Sequence, residues 1–366
     1  MRSAQPTVSY FITPPSCNTT PALTMATTTP DEREVAVVTG GAGFLGRHLV
    51  RQLLAEGFHV AVVDNLRSSK GDDPILKHEH VTFVQRSVVD FPFTAFLDHR
   101  KIRYVFYAAS CASPPTYQAH ALDTLRVNTT ALDKWCLFAR ERRAKLIYFS
   151  TSETYGDPEV TPQPESYTGS VHTIGPRAMY DEGKRCGETF VSEHGTLERV
   201  SDGLPPLDYT IVRIFNTYGE GMSLDDGRIV TELIKARLND TCVTIYGDPD
   251  SITRSFCHVS DLIKGIMKAA AYAGSEHVVF NIGNDTETTL TQLIQAVNDV
   301  DLPDKPPVVC NGGPTRIHDP KRRCPDLTRT RRCLGYAPSV SLSDGLRRMM
   351  VWAAAGAPAD FETVFE

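Results

Sequence analysis

A phenol and an ammonium stand four residues apart in Tyr180-Asp-Glu-Gly-Lys184 and share one face if the segment is helical. A free tyrosine ionises near a pH of about 10, so it serves as a base near neutrality only where positive charge favours its phenolate. Lys184 is such a charge. By itself the spacing is common, and an exposed helix face accounts for it. Upstream, the apolar run Leu146 to Phe149 leads into Ser150-Thr151-Ser152-Glu153, which sets hydroxyls and a carboxylate at the end of a strand, where open α/β sheets bind ligands. Ser or Thr followed by Glu is also a helix-capping pattern, so this segment carries two readings.

A third group of residues precedes these. Gly40-Gly41-Ala42-Gly43-Phe44-Leu45-Gly46 lies between the β-type run Val35 to Thr39 and a helical stretch from Arg47 to Glu56. Missing side chains let backbone approach a pyrophosphate, and a helix N-terminus offers free N–H groups with a partial positive charge. Asp64 ends the next strand-like run, Val60 to Asp64, 18 residues after Gly46, where a carboxylate can accept from a ribose diol. The expectation is dinucleotide binding, with a purely structural tight turn as the alternative. Asp64 would repel a 2′-phosphate, which favours NAD over NADP, although Arg67 nearby pulls the other way.

The elements that must position these groups alternate. Strand-like Val81 to Val84 and Tyr104 to Ala108, a helix from Leu122 to Arg140, strand-like Leu146 to Phe149, a helix from Tyr180 to Glu193 and strand-like Thr210 to Phe215 follow in order. This predicts an α/β fold, a Rossmann-type doubly wound parallel sheet over residues 34–217. Residues 218–366 are read as a smaller, irregular substrate-binding lobe, some segments of which return to the first domain. Helices are expected at Val230 to Leu238, Val259 to Tyr272, Leu290 to Val300 and Leu342 to Ala355. Residues 195–208 read as a surface insertion, and the Thr/Pro-rich residues 1–33 as a disordered tail with too little arginine for a transit peptide.

Composition narrows the classes. With 38 Lys+Arg against 44 Asp+Glu the formal charge is -6, which gives no global reason to expect nucleic acid. No run approaches the ~18 apolar residues of a membrane span. Nine cysteines without a C-x-x-C pair fit free thiols in a reducing compartment, so a cytoplasmic location and no metal site are expected. The basic residues Arg329 to Arg332 are read as a solvated helix face.

Taken together, the glycine loop, Tyr180/Lys184 and the Ser150-Thr-Ser-Glu-Thr-Tyr-Gly156 turn resemble the extended short-chain dehydrogenase/reductases that act on nucleotide sugars. More narrowly, Pro162-Gln-Pro-Glu165, Ile174-Gly-Pro-Arg177, Tyr180 to Arg185, Arg213-Ile-Phe-Asn-Thr217, Asp225-Asp-Gly-Arg228 and Asp319-Pro-Lys-Arg-Arg323 look like the UDP-glucuronate decarboxylases, across roughly residues 35 to 355. The resemblance implies C4 oxidation by NAD while Tyr180 removes the hydroxyl proton, loss of CO2 from the resulting β-keto acid, protonation at C5 and return of the hydride. It makes Tyr180 the acid/base, Lys184 its tuner and ribose ligand, Thr151 the partner of the reacting hydroxyl, and Glu153 the residue that assists ring distortion and proton handling at C5. It assigns the cofactor to Gly40, Gly43, Phe44, Leu45, Gly46, Asp64, Asn65, Ser68, Ser69, Val88, Ser110, Ser150 and Thr217 with Tyr180 and Lys184. UDP-glucuronate falls to Arg126, Asn216, Arg228, Tyr246, Arg254 and Arg323, and a homodimer is implied.

Ser152 separates neighbouring activities, because related 4,6-dehydratases carry an Asp there as the acid that expels a C6 hydroxyl. Glu153 argues against a 4-epimerase. Both remain alternatives, as does a non-enzymatic NAD-binding sensor or scaffold, in which an intact Tyr180/Lys184 pair has no evident purpose. The chain departs from the resembled pattern at Glu220-Gly221 and Ser223, where Pro-Arg and His are usual, and at Ser87, Cys111, Thr168, His172 and Thr173.

Overall fold

The computed structural model describes residues 33–96, 100–196, 203–276, 278–303, 305–314 and 322–361. All of the expected tail but Arg33, part of the 195–208 insertion, Arg316, Asp319 and Lys321 lie outside the described residues. The strands are β1 (Val35–Thr39), β2 (His59–Asp64), β3 (Val81–Gln85), β4 (Ile102–Tyr107), β5 (Lys145–Thr151), β6 (Tyr209–Ile214), β7 (Thr217–Tyr218), β8 (Cys242–Tyr246), β9 (Thr253–Ser255), β10 (Cys257–His258), β11 (Val279–Ile282), β12 (Glu287–Thr289), β13 (Val309–Gly313) and β14 (Arg322–Arg323). The α-helices are α1 (Phe44–Ala55), α2 (Pro114–Ala119), α3 (Ala121–Arg126), α4 (Leu132–Arg142), α5 (Ala178–His194), α6 (Ile229–Asn239), α7 (Val259–Ala271), α8 (Leu290–Asn298), α9 (Thr328–Leu334) and α10 (Leu342–Ala354).

Seven parallel strands form the central sheet in the order β11-β6-β5-β4-β1-β2-β3. Its strands read as continuous apolar runs because both faces are covered. Alternate residues of β1 show this: Ala36 and Val38 pack with Leu49, Leu53, Leu262 and Ile266 of α1 and α7, while Val35 and Val37 join the cluster that holds Trp135, Phe138 and Val191 of α4 and α5. β11 comes from beyond Tyr218 and extends the sheet beside β6, with Phe280 opposite Val212. A separate core around Leu233, Leu293, Met349 and Trp352 holds α6, α8 and α10 together.

Strands β7 to β14 are not among the expected runs, and one expected helix is broken. The helix read from Leu122 to Arg140 is interrupted by a π-type turn, Val127–Ala131, between α3 and α4. The buried Asn128 amide donates to the Thr124 carbonyl at 2.9 Å and the Ser110 hydroxyl at 3.0 Å, and Thr129 bonds back to Leu125 at 2.7 Å. Side-chain competition for helix carbonyls widens such a turn, and hydrophobic periodicity does not register it.

Candidate active site

The carboxyl ends of β1, β2, β4, β5 and β6 open onto one cavity of about 960 Å³, closed from the other side by the loop after β7, α6 and β8. Gly40 turns at φ +72°, and a Cβ on Gly46 would stand 2.2 Å from the Gly40 carbonyl, so only glycine lets α1 start this close to β1. Gly43 caps α1 without any side-chain hydrogen bond, which leaves the first-turn N–H groups facing the cavity. Beside them Asp64 accepts from the backbone N–H of Ala42 (3.1 Å) and of Leu66 (2.8 Å). Burial raises the Asp64 carboxyl above its usual range, against those N–H groups. Ser69 holds a buried hydroxyl with no hydrogen-bond partner among the described residues. An uncapped helix start, a carboxylate at a strand end and an orphaned hydroxyl on one wall fit a dinucleotide. Arg67 is paired with Asp123 at 2.6 Å, so its charge is already engaged.

Deeper in the cavity lie Thr151, Glu153, Tyr180 and Lys184. Tyr180 is buried, stacks on Tyr117 with ring centroids 5.1 Å apart and shares a hydrogen bond with Thr151. Burial pushes its phenol up, and the Thr151 hydroxyl opposes that. Lys184 does not reach the phenol in this arrangement: its ammonium donates to the Phe149 carbonyl at 2.6 Å, and burial lowers it to about 7. Ser150 donates to Glu188 at 2.5 Å, and Glu188 in turn takes two hydrogen bonds from Arg213.

Glu153 is the most heavily paired group of the site. Arg323 grips it bidentately at 2.6 and 2.9 Å, and Arg177 bonds the same carboxylate. Burial alone would raise this carboxyl, but the two guanidiniums outweigh it and hold it below the usual range. The segment that brings Arg323 in is pinned by Gln163, which exchanges backbone hydrogen bonds with Cys324 and Asp326 and accepts from the Cys324 N–H at its side chain (2.9 Å). The Pro162 to Glu165 motif is therefore a clamp on the Arg323 strand.

The cavity wall carries every residue that the sequence analysis assigned to cofactor or substrate except Arg126. Arg126 is exposed on α3 and pairs with Asp123 at 3.2 Å. Arg228 is held by Asp226, and Arg254 sits opposite Arg323 in the β9/β14 pair. Tyr117 and Arg177 also line the cavity without having been assigned a role. Arg177 stands three residues before Tyr180, a spacing that could have signalled it; Tyr117 follows two prolines and gives no periodic signal. At the departure from the usual pattern, Glu220 is buried and bonded by His258 (3.0 Å) and Arg348 (2.9 Å).

Residues 36–283 match the NAD dependent epimerase/dehydratase family. The chain belongs to that family. UDP-glucuronic acid decarboxylase 1 of Danio rerio is 36% identical over 323 residues, 87% of this chain and 72% of the relative. UDP-glucuronic acid decarboxylase 6 of Arabidopsis thaliana is 35% identical over 320 residues, 86% of this chain and 87% of the relative. Among solved structures, UDP-glucose 4-epimerase from Thermotoga maritima with UDP-glucose superposes with a TM-score of 0.74 at 28% identity, covering 88% of this chain and 100% of that one. Membership of this NAD-dependent family agrees with the uncapped α1 and Asp64.

Proposed function

We propose that this chain decarboxylates UDP-glucuronate to UDP-xylose with NAD as a recycled cofactor. The observation that carries the reading is the doubly held Glu153 next to Ser152 and the Thr151/Tyr180 pair, in a chain whose decarboxylase relatives align over most of its length. Bound NAD would supply a reversible acceptor for the C4 hydride and a positive ring charge beside the phenol.

The residues of the chain account for the rest. The N–H groups at the start of α1 and the Asp64 carboxylate hold the dinucleotide, with Ser69, Asn65 and Ser110 on the same wall. Thr151 and Tyr180, already sharing a hydrogen bond, bracket the C4 hydroxyl, and Tyr180 takes its proton and gives it back. Lys184 is fixed by the Phe149 carbonyl one helical turn from Tyr180, where its remaining donors serve a ribose hydroxyl. A C6 carboxylate that has become β to a ketone loses CO2 without a protein acid. Glu153, ionised between two arginines, has no proton of its own to give; it orients the sugar ring and the water whose proton arrives at C5. Ser152 supplies no carboxylic acid to expel a C6 hydroxyl, which sets this reading above 4,6-dehydration.

A cytoplasmic setting is part of the same reading, supported by free cysteines, among the described residues, at 111, 136, 186, 242, 257, 310, 324 and 333. No helix of the described residues is long and apolar enough to cross a membrane. A homodimer is supported by two exposed apolar side chains, Leu122 of α3 at 65% and Ile174 before α5 at 94%. Incubating the pure protein with NAD and UDP-glucuronate should release CO2 and UDP-xylose. Formation of UDP-galacturonate with the carboxylate retained would overturn the assignment in favour of 4-epimerisation.

A further inference from the structure

Behind the arginines that hold Glu153 lies a second carboxylate with no assigned part in the reaction. Asp181 follows Tyr180 on α5, is 8% exposed, and has one oxygen, Oδ1, without a hydrogen-bond partner among the described residues. Its other oxygen stands 3.6 Å from Nε of Arg177. Arg177 thus reaches two carboxylates at once, Glu153 in the cavity and Asp181 behind it. Counting the cluster, Arg177 and Arg323 bring two positive charges and Glu153 one negative, so the protonation of Asp181 decides whether the group is cationic or neutral.

We propose that Asp181 is a specificity-determining positioning residue, which sets through Arg177 how much positive charge the Glu153–Arg177–Arg323 cluster offers to the carboxylate of the sugar. This rests on UDP-glucuronate being the substrate. With Asp181 protonated, the cluster carries a net positive charge and favours the anionic sugar. With Asp181 ionised, it is neutral and holds the anionic sugar and its uncharged pentose product about equally.

The groups that face Asp181 fix the direction of the effect. Tyr117 comes from α2, Glu153 from the turn after β5, Arg323 from β14, and Tyr180, Glu182 and Arg177 from α5 and the residue before it. Burial is the largest influence and Glu153 adds to it, together raising the Asp181 carboxyl to about 7 against the pull of Arg177 and Arg323. The switch from cationic to neutral cluster therefore falls within the neutral pH range.

The test compares ligands with and without the carboxylate. Affinities of UDP-glucuronate and UDP-xylose for the NAD-loaded Tyr180→Phe protein, which does not turn the sugar over, are measured by calorimetry from pH 6 to pH 8.5. The same is done with Asp181→Asn and Asp181→Glu added. As pH rises UDP-glucuronate should weaken by about fivefold more than UDP-xylose, the size expected for losing one charge across a partly solvated gap, the Lys184 ammonium, also lowered to about 7, acting on both sugars alike. Asp181→Asn should flatten that slope and keep UDP-glucuronate in the tighter state at pH 8.5; Asp181→Glu should restore the slope. An equal slope with and without Asp181, or an equal slope for both sugars, overturns the proposal. If UDP-glucuronate fails to bind at every pH, both the functional reading and the proposal fall; binding with no pH dependence removes the proposal alone.

Discussion

The guanidinium of Arg323 meets the carboxylate of Glu153 through two hydrogen bonds, 2.6 and 2.9 Å long, between residues 170 positions apart in the chain. A planar fork matched to a carboxylate fixes orientation as well as charge, and lysine offers a point charge without the fork. Arg323→Lys should therefore lower kcat by about 10²-fold, the cost of misplacing one reacting group, while the melting temperature changes little. Steady-state kinetics beside a thermal melt would check this; unchanged kcat would mean that the bidentate grip is dispensable.

Tyr180→Phe removes the proton acceptor but keeps the ring stacked on Tyr117. Turnover should fall by at least about 10³-fold with NAD still bound. In heavy water the wild-type protein should place one solvent deuteron at C5 of UDP-xylose and leave the hydrogen at C4 unexchanged. Product lacking deuterium at C5, read by NMR, contradicts decarboxylation through a C5 carbanion.

Cofactor choice rests on Asp64 and on a cation held out of play. Because Arg67 is tied to Asp123, NAD should bind more tightly than NADP. Asp123→Ala should free Arg67 and improve NADP binding by about fivefold, the worth of an exposed ion pair, with NAD nearly unaffected. Titration of both cofactors by calorimetry decides it.

Lys184 carries a pH signature. Its folded value is lowered to about 7 by burial, while the unfolded chain keeps a proton on lysine up to about 10.4. Between these limits the unfolded state binds more protons, so this residue makes stability rise with pH from 7 towards 10. Lys184→Met should flatten that part of the profile, seen in urea midpoints at pH 7, 8 and 9, and should also abolish most activity.

Glu220 is buried with His258 and Arg348, and although burial opposes its charge, these partners, His258 first, lower it to about 2. Arg348→Ala strips one partner from a buried anion, and because Arg348 is itself 39% exposed and His258 stays in place, it should cost about 1 kcal/mol of stability. Adding Glu220→Gln should recover part of the loss, because no unpaired charge is then left. Chemical denaturation of the three proteins tests this, and full additivity of the two substitutions would show that they do not interact.

Much of the molecule was legible from local pattern. Buried strands, amphipathic helices, the glycine turn and the Tyr180/Lys184 spacing all follow from periodicities of two or 3.6 residues, which act between near neighbours and are written in consecutive residues. A parallel sheet with six of its seven strands follows from their alternation, whereas β11, which joins beside β6, carries no such signal. What local pattern does not carry is which distant side chains meet. Strand order brings β14 beside β9 and so sets Arg323 on Glu153; the Gln163 clamp, the reach of Arg177 to two carboxylates and the burial of Glu220 against Arg348 arise the same way. Arg126 shows the converse, since its place on α3 turns it to Asp123 and away from the cavity. Local pattern thus sets the elements and the reactive residue types, and packing sets their partners, because a charge is paired or left unpaired by neighbours that only the packed sheet brings within hydrogen-bonding distance.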